Sequence, residues 1–135
     1  MIPPIAFDTE TELIEPGLLA PRLVCVSFPD RVVHHTTARG AVEDMLEGDR
    51  ILVGHNVAYD FAVIAAKWPD LLPSIFDKYA RAQITDTMLR QKLIDIASPR
   101  RGGSYSLAAL SKKWLGEELE KDAWRLRYGE LYDVP

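Results

Sequence analysis

The chain has 135 residues, 47% of them hydrophobic, which suits a single globular domain built on one core. Sixteen basic against twenty acidic residues leave a net charge of −4. That excludes a uniformly basic nucleic-acid coat but not a local basic groove, because steering depends on where charge sits. A lone cysteine, Cys25, excludes an internal disulfide; no stretch reaches the apolar length of a membrane span, and the N-terminus lacks the charged-then-apolar pattern of a signal peptide.

In chain order, Ile2 to Thr11 reads as a first strand, followed by a turn-rich connection from Glu15-Pro16-Gly17 to Ala20-Pro21. Arg22 to Phe28 alternates as a second strand, with Val24, Val26 and Phe28 on one face and Leu23, Cys25 and Ser27 on the other, so that Cys25 is a small core residue. Pro29-Asp30 reverses the chain into a third strand, Arg31 to Thr36, which predicts an antiparallel meander. Thr36 or Thr37 caps a helix through Val42, Met45 and Leu46 that ends near Gly48. Arg50 to Val53 is a short apolar strand of the kind covered by helices on both sides. A helix between it and the meander predicts a crossover to a parallel neighbour. A helix from Asn56 to Lys67 follows, stopped by Pro69, then a shorter one over Leu71 to Ala80. Gln83-Ile84-Thr85 is a brief strand, and Thr85 or Asp86 opens a helix through Met88, Leu89, Leu93 and Ile96. The loop Ser98 to Gly103 is basic; Ser104 or Ser106 caps a last helix with Leu107, Leu110, Trp114 and Leu115, closed by Gly116. The tail from Glu117 to Pro135 has no clear apolar period.

Two stretches carry the chemistry. In Ile5-Ala6-Phe7-Asp8-Thr9-Glu10-Thr11 an apolar strand is broken by two acids, and residues two apart on a strand face the same way. In Val53-Gly54-His55-Asn56-Val57-Ala58-Tyr59-Asp60 a strand runs through Gly54 into a helix on which Asn56 and Asp60, four apart, share a face. Taken singly these are weak signals: an acid at a strand end is usually solvated, and Asn56 is a good helix cap. Asp60 is the exception, because it flanks the apolar stripe Val57, Phe61, Ile64, Ala65, Trp68, where a charge needs a partner. Asp8, Glu10 and Asp60 gathered at adjacent strand ends repel unless a cation joins them, and carboxylate oxygen suits Mg²⁺ or Mn²⁺. His34 and His35 alternate on their strand and do not share one ion; His55 reads as a loop residue or a substrate contact.

The element order, a three-strand antiparallel meander, a helix, a parallel strand, then helices and one more strand, is that of an α/β ribonuclease H-like fold with a mixed sheet flanked by helices. Asp8-Thr9-Glu10 with Asn56-x-x-x-Asp60 resembles the first and second motifs of the DEDD 3′–5′ exonucleases, and most closely the proofreading domain of family A, polymerase I-like DNA polymerases. Asp86-Thr87-Met88-Leu89, then Ser106-Leu107-Ala108-Ala109-Leu110 and Trp114-Leu115-Gly116, extend the likeness over nearly the whole chain.

The resemblance implies that Asp8, Glu10 and Asp60 are three of four metal-binding carboxylates of a two-metal Mg²⁺ or Mn²⁺ site. It implies that Asn56 holds the strand near its end, and that Thr9, Thr11 and Leu13 or Ile14 pack on the terminal nucleotide. Asp86 matches a family position but reads first as a helix cap. The implied reaction releases nucleoside monophosphates from single-stranded 3′ ends of DNA, with RNA as the alternative substrate and Arg100, Arg101, Lys112 and Lys113 available to phosphates or simply solvated. The family's third motif, Tyr or His four residues before the fourth Asp, has no match here, since Tyr128 and Tyr132 stand five and one before Asp133. The expectation is therefore one exonuclease domain over 1–135, truncated before that motif and linked to a polymerase domain in a cytoplasmic, bacterial or phage setting. The rival readings are a non-cleaving single-strand binder of the same fold and a free-standing exoribonuclease.

Overall fold

The computed structural model describes residues 1–98, 103–119 and 126–134. The strands are Ile5–Ala6 (β1), Asp8–Thr11 (β2), Leu23–Phe28 (β3), Arg31–His34 (β4), Leu52–Gly54 (β5) and Ile84–Asp86 (β6). The helices are Ala38–Glu47 (α1), Val57–Lys67 (α2), Leu72–Ala80 (α3), Thr87–Ala97 (α4) and Leu107–Leu115 (α5).

The element order follows the sequence reading, with one division the sequence does not show. The first strand is two. β1 pairs in parallel with β5, and β5 with β6, whereas β2 pairs antiparallel with β3, and β3 with β4. The change of partner falls at Phe7, whose N–H still donates to the Val53 carbonyl at 3.1 Å and whose ring packs against Phe61 with centroids 5.3 Å apart. Phe7 thus ties both sheets to α2 at the point where the first acid leaves the core. The crossover through α1 returns β5 parallel to β1, as the helix between them requires.

Leu23 to Val26 are buried on both faces of β3, and Leu23 and Val26 share the core with Val42, Met45, Leu46, Leu52, Phe61 and Ile64. Gly54 lets β5 turn directly into α2: a Cβ there would stand 3.1 Å from Cγ2 and 3.2 Å from Cβ of Val57. Thr37 occupies the N-cap position of α1, but its hydroxyl donates to the His34 carbonyl at 3.4 Å and makes no capping bond. Ser106 does cap α5, accepting from Ala109 N–H, and Gly116 ends that helix in the left-handed region. In the tail the described residues include one 3₁₀ turn, Tyr128–Leu131, packed against β2 and β3. Arg100 and Arg101 lie outside the described residues.

Lys78 is a finding the sequence did not suggest. It is fully buried on α3, and its ammonium donates to the Gly48 carbonyl, to the Arg50 carbonyl at 2.8 Å and to Gln83 Oε1 at 3.1 Å. Three donors meet three acceptors, fastening α3 to the turn between α1 and β5. Burial holds the Lys78 amine below its ordinary pKa. Lys78→Met keeps the stem but strands two backbone carbonyls, and is expected to lower unfolding free energy by about 2 kcal/mol, read from urea titration. An unchanged midpoint would show that the ammonium is dispensable.

Candidate active site

The site is built where β2 meets α2. Asp8 and Glu10 lie two apart on β2, opposite Ser27 and Cys25 of β3, so they share the face that carries Cys25. Asp8 is exposed and Glu10 half-buried. Their charges, added to its burial, push the Cys25 thiol up to about 11, so this cysteine stays a protonated core residue.

Asp60 is only 2% exposed. It sits along the edge of β2 that β3 does not use. Thr9 N–H donates to its Oδ1 at 2.8 Å and the Thr9 hydroxyl to the same oxygen at 2.6 Å. The carboxylate therefore stands where a neighbouring strand's carbonyl would otherwise be, which is the partner that a charge on the flank of the α2 stripe requires. Burial raises its pKa to about 6, the two Thr9 bonds oppose that rise, and the nearby charge of Asp8 adds to it. Asp8 on the strand and Asp60 on the helix thus feel one another electrostatically.

Thr9 itself is 6% exposed, with its hydroxyl directed at Asp60. The Thr11 hydroxyl donates to the Glu12 carbonyl at 2.8 Å and meets the Tyr59 hydroxyl at 3.0 Å. Tyr59, immediately before Asp60, is a site residue that the sequence reading left unassigned; its place beside an acid at the end of a helix turn was the available signal. Leu13 and Ile14 are exposed just beyond β2. Asn56 is exposed at the N-cap of α2, and both ring nitrogens of His55 are engaged, Nδ1 with Thr87 Oγ1 at 2.9 Å and Nε2 with the Tyr105 carbonyl at 2.7 Å.

One expectation changes, and one of two open readings is favoured. His34 and His35 do not diverge, because β4 ends at His34 and the chain turns; their rings lie 4.3 Å apart and both Nε2 atoms donate to the Tyr132 carbonyl, at 3.1 and 2.9 Å. The Tyr132 ring stacks on His35, with Arg22 above it, so the pair anchors the tail. Lys112 is paired with Glu118 at 2.6 Å and Lys113 lies 3.9 Å from Asp95, the geometry of a solvated helix face with its charges matched.

The donor set of Asp8, Glu10 and Asp60 is all oxygen, the kind a hard divalent ion takes. Among the described residues no three His, Cys, Asp or Glu side chains form a ready-made cage. Mg²⁺ does not need one: it is held by one or two carboxylates and completes its shell with water and substrate phosphate. The donor chemistry of these residues fits a hard divalent ion.

A parallel sheet and an antiparallel sheet flanked by helices, with acids at the junction of β2 and α2, define a ribonuclease H-like nuclease fold. The family model for 3′-5′ exonucleases matches residues 1–130, and the chain belongs to that family. Among solved structures, the crystal structure of the Aedes aegypti Nibbler EXO domain superposes with a TM-score of 0.61 at 16% identity, covering 94% of this chain and 71% of that one, which bears on the fold alone. No curated protein matches the chain. Among the described residues no helix is long and apolar enough to cross a membrane.

Proposed function

We propose that this 3′-5′ exonuclease domain acts on single-stranded 3′ ends of DNA as the proofreading part of a family A polymerase, using Mg²⁺ or Mn²⁺. The observation that carries the chemistry is the buried Asp60, fixed by Thr9 at the edge of the strand that bears Asp8 and Glu10. Asp8, Glu10 and Asp60 would hold the ion. When bound, such an ion lowers the pKa of a water and stabilises the leaving 3′ oxygen. The chain's own residues do the positioning: Thr9 fixes Asp60, Tyr59 braces Thr11, and Asn56 with Leu13 and Ile14 grips the last nucleotides. Apolar contact with bases tolerates sequence, as an enzyme acting on any terminus requires.

Titration calorimetry with Mn²⁺ tests the site. Wild-type protein is expected to bind, and Asp8→Ala to weaken binding by about tenfold or more, since it removes one of the two strand carboxylates. Equal binding by both proteins would place the ion elsewhere and end this reading. Parallel titrations with DNA and RNA oligonucleotides separate the proofreading role from that of an exoribonuclease.

A further inference from the structure

The start of α2 is held from outside the helix. Asn56, its N-cap residue, has left-handed backbone angles (φ 61°, ψ 48°), and its side chain makes no capping hydrogen bond. The local donors go to Asp86, whose Oδ1 accepts from Asn56 N–H at 3.1 Å and whose Oδ2 accepts from Val57 N–H at 2.9 Å. The same carboxylate caps α4, accepting from Met88 N–H at 2.9 Å and Leu89 N–H at 3.2 Å. Asp86 is 9% exposed, and the positive ends of both helices favour its charge.

Register and a second tie reinforce the clamp. Gly54 and Asp86 stand opposite each other in the β5–β6 ladder. His55 reaches across to Thr87 and to the chain just before α5. Left-handed backbone disfavours a non-glycine residue, though asparagine tolerates it best, and the clamp fixes Asn56 there. Because Asp86 satisfies the amides, the Asn56 side chain is not drawn into capping and lies exposed one helical turn before Asp60. Three of these amides, those of Asn56, Met88 and Leu89, converge on Oδ1, and the Val57 amide meets Oδ2, so both oxygens are engaged by backbone donors.

We propose that Asp86 is a positioning residue, not a metal ligand: through the Asn56 and Val57 amides it sets the Asn56 side chain for a phosphate or sugar oxygen near the single-stranded 3′ end. The inference rests on the strand-gripping role given to Asn56 above.

The test is a double-mutant cycle. Binding of a fluorescein-labelled oligothymidylate is followed by anisotropy with Mn²⁺ present, and Mn²⁺ binding is followed separately by calorimetry. Asp86→Ser retains a good cap for α4 but is too short to clamp α2. It is expected to weaken oligonucleotide binding at least about tenfold, to leave Mn²⁺ binding unchanged, and to add nothing to the loss caused by Asn56→Ala. Asp86→Asn keeps Oδ1 and gives up only the Val57 contact, so its loss should be smaller; it carries the cycle if the serine variant does not fold. Losses that multiply, or a fall in Mn²⁺ affinity with either Asp86 variant, would overturn the proposal. So would an Asn56→Ala variant that binds the oligonucleotide as wild type does. Wild-type protein that binds Mn²⁺ but no oligonucleotide would instead remove the nucleic-acid reading beneath it.

Discussion

In chelator at pH 7.5, Asp60→Asn is expected to melt at a higher temperature than the wild-type protein, and the advantage should vanish near pH 4. The Asp60 carboxyl has its pKa raised from 3.8 to about 6 by burial. Between those values the folded protein binds more protons than the unfolded chain, so stability falls as pH rises. Below the window both states are protonated and nothing is lost. Above it the full cost is present, about 3 kcal/mol from a shift of roughly two units, or a Tm difference on the order of 10 °C for a domain of this size. Asparagine never ionises, and its Oδ1 still accepts both Thr9 donors. Mn²⁺ should reverse the order, because an ion that binds only the native wild-type site stabilises it by mass action. Melting curves at the two pH values, with and without Mn²⁺, decide the matter. A variant less stable than wild type at pH 7.5 but equal to it near pH 4 would mean that the negative charge of Asp60 serves the fold.

Asp60 also marks where sequence reasoning stops. That it lies on the flank of a buried stripe follows from helical periodicity, and so does its need for a partner. That the partner is Thr9 does not follow, because Thr9 is fifty-one residues away and pairing across the fold is a tertiary outcome. Asp86 divides in the same way. Its capping of α4 is local and legible, whereas the two amides it takes from α2 come from a strand pairing that the sequence only implies.

Where the fold departs from the sequence reading, long-range partners or chain turns overrode local pattern. Ile5 to Thr11 is extended throughout, so nothing local shows that its halves pair with different strands. Alternation put His34 and His35 on opposite faces, and it failed because β4 ends between them. Lys78 continues the buried positions Leu71 and Ile75 at helical spacing. That pattern was visible, yet a lysine in it reads as a solvated residue until three acceptors are found around it. The apolar core elements, by contrast, follow periodicity closely, since burial of a stripe or a strand face is what the pattern encodes.

The largest expected effect concerns catalysis. A chain of residues 1–135 with wild-type Mg²⁺ or Mn²⁺ binding should bind single-stranded 3′ ends but hydrolyse them at least ~10²-fold more slowly than a chain that also supplies Tyr-x-x-x-Asp or His-x-x-x-Asp. The spacing is absent from this sequence: residues four beyond Tyr59, Tyr79, Tyr105 and Tyr128, and beyond each histidine, are not acidic. No Tyr or His is therefore in sequence register with a fourth carboxylate to orient the attacking water. Asp60, the helix acid present, already has one oxygen engaged by both Thr9 donors, which leaves less of it for a second ion. A 3′-labelled oligonucleotide with Mg²⁺ reports the rate directly. Slow release from the 135-residue chain, and a gain of two orders of magnitude or more from a longer chain carrying such a helix, is the outcome expected. Rapid digestion by the 135-residue chain, abolished by Asp8→Ala, would show that Asp8, Glu10 and Asp60 suffice and that the fourth acid and its aromatic or imidazole partner are not needed.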